Sequence, residues 1–277
     1  MKRQSGDLTD EFRTNLSSWG ARLPRSIDLA AKGWGYLLDA LEQPRVLPFL
    51  LRSASRGAHL GQLIRLTRHR RWIQAAKVRT VIDVGANTGQ FSSAMAALLP
   101  NARIYAFEPL PDCFSRLSRR LVSRADFKAF MVALGDQSSE SILWRSSFSE
   151  SSSLLTMTDL HKEAFPWSAR GEPQPVTVRT LDSYFPQLKL ESRVFLKIDV
   201  QGFEDRVLRG AQQMLRHIDY VLVEVSFHGL YEEQASFDEV YRFLLAQGFV
   251  YGGSLDQLSS PRDGTILEAD ALFLRRS

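Results

Sequence analysis

The chain has 277 residues, of which 44% are apolar and 24% charged, an ordinary balance for a globular protein able to bury a core without staples. It has one cysteine, Cys113, so an intramolecular disulfide is excluded and a reducing compartment is expected. The net charge of +4 divides unevenly: residues 1–80 carry 15 Lys/Arg against 6 Asp/Glu, and the remainder carries an excess of acid. A basic extension on an acidic body is therefore predicted.

In chain order, residues 1–25 are polar and irregular, and their charges lack the apolar core of a secretory signal. No stretch reaches the ~18 uninterrupted apolar residues of a membrane helix, and a cytoplasmic protein is expected. From Ile27 to Trp72 the pattern is helical, broken by Pro44 and Pro48. Leu60, Leu63, Ile64 and Thr67 fall on one helix face. Arg65, Arg68, Arg70 and Arg71 make the densest positive patch. Such a helix can lie on an anionic membrane surface, a peripheral contact suited to a lipid-linked acceptor. The competing reading packs the apolar face on the core or a second subunit, with the arginines solvated. No nucleic-acid module is recognised, so no nucleic-acid partner is expected.

At Val78 the texture changes. Five short apolar runs follow, Thr80–Val84, Arg103–Phe107, Lys128–Leu134, Val194–Asp199 and Tyr220–Val225, with helical patterns between several of them. Runs of this kind are strands buried on both faces of a parallel sheet. Two more candidates lie near Phe249–Tyr251 and Ala271–Leu274. The prediction is a seven-stranded, doubly wound, Rossmann-like α/β domain over 77–277, preceded by a basic helical extension over 1–76. The segment from Gly135 to Ser192 is too long for a plain connection. It carries a serine cluster, Ser146 to Ser153, and is expected to shape a substrate site.

The strongest local signal is Asp83-Val84-Gly85-Ala86-Asn87-Thr88-Gly89-Gln90 between a strand and a helix. Gly85 and Gly89 clear space for a ligand, and Asn87 tolerates a left-handed conformation. Free N–H groups at the helix start suit an anion, including an amino-acid carboxylate. Glu108, nineteen residues after Gly89 and followed by Pro109, can accept hydrogen bonds from both hydroxyls of a ribose. Together they predict an adenosine ligand. The loop lacks the glycines of the dinucleotide pattern, and Asp83 would repel a pyrophosphate while suiting an ammonium. That favours S-adenosylmethionine over NAD.

Asp199 ends the fourth strand, and Glu204, Glu224 and His228 follow at places that could converge on a methyl donor. Asp199, Glu224 and His228 are the catalytic candidates, with a base removing the hydroxyl proton of an acceptor. They are metal ligands by type, but their spacing is no metal motif, and a metal-free site is expected.

These stretches resemble the FkbM-type family of S-adenosylmethionine-dependent methyltransferases, from about Arg79 onward. The resemblance rests on Val81–Gly89, Ala106–Pro109, Val132–Asp136 and Leu196–Glu204 continuing to Ala211, with smaller echoes at Ser152–Leu154 and Val178–Asp182. It implies O-methylation, often of a sugar or polyketide-like hydroxyl. It also implies that Gly85, Asn87 and Gly89 contact the methionine part of the donor, that Glu108 holds the ribose, and that Ala133 and Leu134 border the adenine. Many members carry Glu where this chain has Gln201, which weakens a metal or base role there. The first 75 residues match nothing in the family. The expected acceptor is a small molecule or a glycan. Three rivals stay open: an NAD-linked enzyme, methylation of phosphate, carboxylate or nitrogen, and a non-catalytic binding module.

Overall fold

The computed structural model describes residues 49–51, 53 and 59–276. The polar segment 1–25 and the helices expected from Ile27 through Pro48 lie outside the described residues. The first elements are α1 (Leu60–Thr67), α2 (Arg70–Ala75), β1 (Thr80–Val84), α3 (Gln90–Leu98), β2 (Arg103–Phe107), α4 (Pro111–Arg120), β3 (Phe127–Phe130), β4 (Ala133–Leu134) and β5 (Ser139–Ser146). Then come α5 (Asp159–Ala164), β6 (Gly171–Arg179), β7 (Val194–Ile198), α6 (Glu204–Arg209), α7 (Gln212–Leu215), β8 (Tyr220–Ser226), α8 (Phe237–Ala246), β9 (Phe249–Ser259) and β10 (Ile266–Arg275).

The seven-stranded sheet has the order β3-β2-β1-β7-β8-β10-β9. Its first five strands are parallel, and β10 closes it antiparallel to both β8 and β9. Every residue of β1 and β7 is buried, as continuous apolar runs covered on both faces require. The strand order reverses beside β1, so the C-terminal ends of β1, β2 and β7 open onto one crevice.

The predicted third strand divides. Phe127–Phe130 joins the main sheet beside β2, while Ala133–Leu134 leaves it to pair with β6 in a separate three-stranded sheet, β4-β6-β5. The run is continuously apolar because it serves two cores: Phe130 stacks on Phe107 at 4.8 Å, and Ala133 packs with Leu143, Val176 and Val178. The long segment after Gly135 is thus largely ordered structure, a β5–β6 ladder with α5 between its strands.

The apolar face of α1 turns inward. Leu63 and Ile64 are buried, the His59 N–H donates to Ser93 Oγ on α3 at 3.0 Å, and Arg65 pairs with Asp256 of β9 at 3.1 Å. On α2, Trp72 meets Tyr220 edge-on at 5.5 Å. The two helices therefore pack with the α/β body, and the chain from Leu50 onward is one compact unit. Among the described residues no helix is long and apolar enough to cross a membrane.

On α5, buried His161 lies against Tyr231, with ring centroids 5.0 Å apart. Ser168 Oγ donates to the Phe165 carbonyl, so His161 Nε2 must donate to Ser168 Oγ, at 2.9 Å. Nδ1 is left buried without a partner among the described residues. Burial lowers the His161 pKa to about 4. Between about 6.5 and 4 the unfolded chain binds a proton that the native state does not, so stability is full above that window and falls as pH falls through it. Urea unfolding at pH 6.5 and 4.5 should show His161→Gln losing about 1–3 kcal/mol less than the parent over that interval. Parallel losses in the two proteins would remove His161 as a source of acid sensitivity.

Candidate active site

Gly85 leaves β1 at φ +77°, and a Cβ built on it would lie 1.8 Å from the Asp199 carbonyl oxygen. Only glycine lets the end of β1 approach the end of β7 so closely. Asn87 follows at φ +47°, with its side-chain oxygen accepting from the Thr88 N–H at 2.7 Å. Its own N–H donates to Glu108 Oε2 at 2.8 Å, and the Leu110 N–H donates to Oε1 at 2.9 Å. Burial pushes the Glu108 pKa up to about 7 against the opposing pull of those two N–H groups.

A cleft opens here, where the glycine turn, the end of β2, the Val132–Leu134 run and the end of β7 meet. One wall is Gly85, Asn87, Glu108, Pro109 and Leu110. An apolar wall comes from Val132, Ala133, Leu134, Leu143 and Leu154, and the floor ends at Asp199, Val200 and Gln201. The serine cluster supplies Ser149, Glu150 and Ser152 at the mouth. Ser149 Oγ accepts from Asn87 Nδ2 at 3.2 Å, and Ser153 Oγ donates to the Gln201 carbonyl at 2.5 Å. The cluster is thus a strap from the glycine turn to the end of β7.

Beneath the cleft lies a buried row of charges. Asp83 and Lys197 are register partners on β1 and β7. Lys197 Nζ stands 3.7 Å from Asp83 and 3.0 Å from Asp199 Oδ2, and Ser92 Oγ donates to Asp83 at 2.6 Å. Burial raises the Asp83 pKa despite that ammonium. Burial would also raise Asp199, but the Lys197 charge and hydrogen bonds from Gln201 and Lys197 leave its pKa below the usual value. Burial would lower Lys197, and the two carboxylates more than reverse it.

Gln201, at φ +58°, donates from Nε2 to Asp199 Oδ1 at 3.0 Å and to Glu224 Oε2 at 2.6 Å, and accepts from Tyr231 OH at 2.8 Å. Burial and the charges of Asp199, Glu268 and Glu204 hold the Glu224 pKa well above the usual range. The surroundings thus push the two carboxyls in opposite directions, Asp199 toward its ionised form and Glu224 toward its protonated one. Glu204 accepts from the N–H groups of Val200 and Gly202 at 2.9 and 3.2 Å, bracing the Asp199 loop from below.

Of the residues expected at the site, Gly85, Asn87, Glu108, Pro109, Ala133, Leu134 and Asp199 line the cleft. Glu224 stands one amide behind its surface. Gly89 precedes α3 as its N-terminal cap residue at φ +82°, packed against Leu117, outside the lining. Two more of the expected residues lie outside the lining. Asp83 does not face the cleft: its strand position turns it toward Lys197 and Ser92. His228 is exposed beyond β8 and lines nothing in the cleft. Sequence reasoning missed Lys197, although a lysine inside an otherwise apolar strand was a usable signal. Tyr231 and the strap contacts left no local signal.

Residues 83–251 match the methyltransferase FkbM domain family. The chain belongs to that family. Among curated relatives, it is 26% identical over 160 residues to 2-O-methyltransferase NoeI of Sinorhizobium fredii, a match covering 56% of this chain and 66% of that protein. It is 31% identical over 156 residues to methyltransferase sdnD of Sordaria araneosa, covering 48% of this chain and 60% of that one. It is 28% identical over 150 residues to hexuronic acid methyltransferase AglP of Haloferax volcanii, covering 52% and 54%. The match therefore spans no more than about two thirds of each of these FkbM-domain relatives.

Proposed function

We propose that this chain transfers a methyl group from S-adenosylmethionine to a hydroxyl oxygen of a sugar, in a glycolipid, polysaccharide or glycosylated natural product. The observation that carries the reading is that Asp199 and Glu108 line one cleft together with the apolar Leu110, Ala133 and Leu134. The residues fit the donor by chemistry. Glu108 offers carboxylate oxygens to ribose hydroxyls, Ala133, Leu134 and Leu110 offer an apolar slot to adenine, and the turn around Gly85 and Asn87 brings the backbone close to the amino-acid end. The donor, when bound, supplies an electrophilic methyl group. Asp199 orients the acceptor hydroxyl and takes its proton. A carboxylate of lowered pKa suffices, because the hydroxyl becomes strongly acidic as its oxygen bonds to carbon. Lys197 keeps Asp199 charged, and Gln201 keeps it aimed.

Transfer to oxygen is supported by one relative, a 2-O-methyltransferase, and a sugar acceptor by another, a hexuronic acid methyltransferase. Mass spectrometry of glycans from cells with and without the gene tests this directly. A methyl group missing from one glycan species is expected, and identical profiles would overturn the acceptor class. Calorimetry tests the donor. S-adenosyl-L-homocysteine should bind in preference to NAD, and Glu108→Ala should weaken it by roughly 1–3 kcal/mol, the scale of charge-assisted hydrogen bonds lost. Unchanged affinity in that variant would remove Glu108 from the donor site.

A further inference from the structure

With Asp83 turned away, the cleft needs another carboxylate for the donor's ammonium. Three acids line it: Glu108, Asp199 and Glu150. Glu108 is the ribose partner in the reading above, and Asp199 has the Lys197 ammonium at 3.0 Å. Glu150 differs from both. It sits on the strap, is exposed, and accepts one hydrogen bond, at 2.8 Å from the neutral side-chain amide of Gln90. No ion pair joins it to a cation among the described residues.

Its position matters as much as its charge. Gln90 is the first residue of α3, directly after the glycine turn, and the neighbouring Ser149 is tied to Asn87 of that turn. Glu150 is therefore held beside the turn that brings Gly85 and Asn87 into the cleft. The amino-acid end of the donor carries an ammonium, and an exposed carboxylate beside that turn suits it. We propose that Glu150, on the serine strap, binds the α-ammonium of the donor and so selects ligands with an intact amino-acid end. This rests on the donor-cleft reading above.

A two-by-two calorimetric cycle tests it, with the parent and Glu150→Gln titrated against S-adenosyl-L-homocysteine and its desamino analogue, in which hydrogen replaces the ammonium. Glu150→Gln should weaken S-adenosyl-L-homocysteine about tenfold, the scale of one hydrogen bond to a charged group, and leave the desamino analogue within about twofold. The parent's preference for the amine-bearing ligand should shrink between 50 mM and 500 mM salt, and the variant's should not, as for a screened charge pair. Equal weakening of both ligands would mean that Glu150 acts by holding the strap, and would overturn the proposal. So would no weakening of either. If the folded parent bound neither ligand, the donor-cleft reading would itself fail and take this inference with it.

Discussion

Asp199→Asn should lower turnover by about 10²-fold or more, the contribution of a positioned general base, while S-adenosyl-L-homocysteine affinity changes by no more than about fivefold. Asn has the same shape as Asp, so the β7 end keeps its backbone contacts with the glycine turn, including the Asp199 N–H donated to the Val84 carbonyl at 3.1 Å. What is lost is the charge that Lys197 and Gln201 maintain at the cleft floor. The measurement is release of S-adenosyl-L-homocysteine with the acceptor identified by glycan mass spectrometry. The loss should fall on kcat rather than KM, since the interaction strengthens as the proton leaves. A variant that is folded and turns over at the parent's rate would make Asp199 structural. Activity abolished by a chelator and restored by Mg²⁺ would reassign Asp199 as a metal ligand.

Lys197→Met should cost about 3–5 kcal/mol of folding stability, because it strands the buried Asp83 without its counter-charge. For a domain of this size that is a melting-temperature loss on the order of 10 °C. The deficit should depend on pH. Without the ammonium, the folded-state pKa of Asp83, already raised by burial, rises further, and Asp199 loses its largest lowering influence and rises as well. Their neutral forms are then favoured at low pH, and stability is lost as pH rises from the unfolded carboxylate range through the raised values. Denaturant unfolding at pH 5 and 7.5 should therefore show a larger gap between parent and variant at 7.5. Adding Asp83→Asn to the lysine variant should recover part of the loss. A pH-independent deficit would point to lost packing of the lysine stem against Phe91, whose ring lies 5.6 Å from Nζ, rather than to charge.

The motifs that carried the family resemblance turn out to be contacts as much as chemistry. A Cβ on Gly210 would lie 2.0 Å from the Gly135 carbonyl oxygen, so two of the matching stretches meet where only glycine fits. Asp182, in the weaker echo Val178–Asp182, accepts from the N–H groups of Gln213 and Met214 at 2.9 and 2.7 Å and caps α7. Positions such as these are legible as a pattern before their purpose is, because each is one half of a contact whose other half lies tens of residues away.

The sequence by itself determined the parallel strands, the glycine turn and the place of Glu108, because burial on both faces and a tight strand-to-helix turn leave their mark within a few neighbouring residues. Tertiary structure decided which acids face the cleft. Strand pairing sets Asp83 against Lys197, and no local pattern encodes the partner across β1 and β7. It also decided that the apolar run ending at Leu134 splits between two sheets, and that the apolar face of α1 is covered by the body. Glu150 reaches Gln90 across sixty residues of chain, through a strap whose serines look locally like an ordinary polar loop. Periodicity and turn chemistry are short-range and readable along the chain, whereas the charge environment of a side chain is set by whatever the register brings beside it.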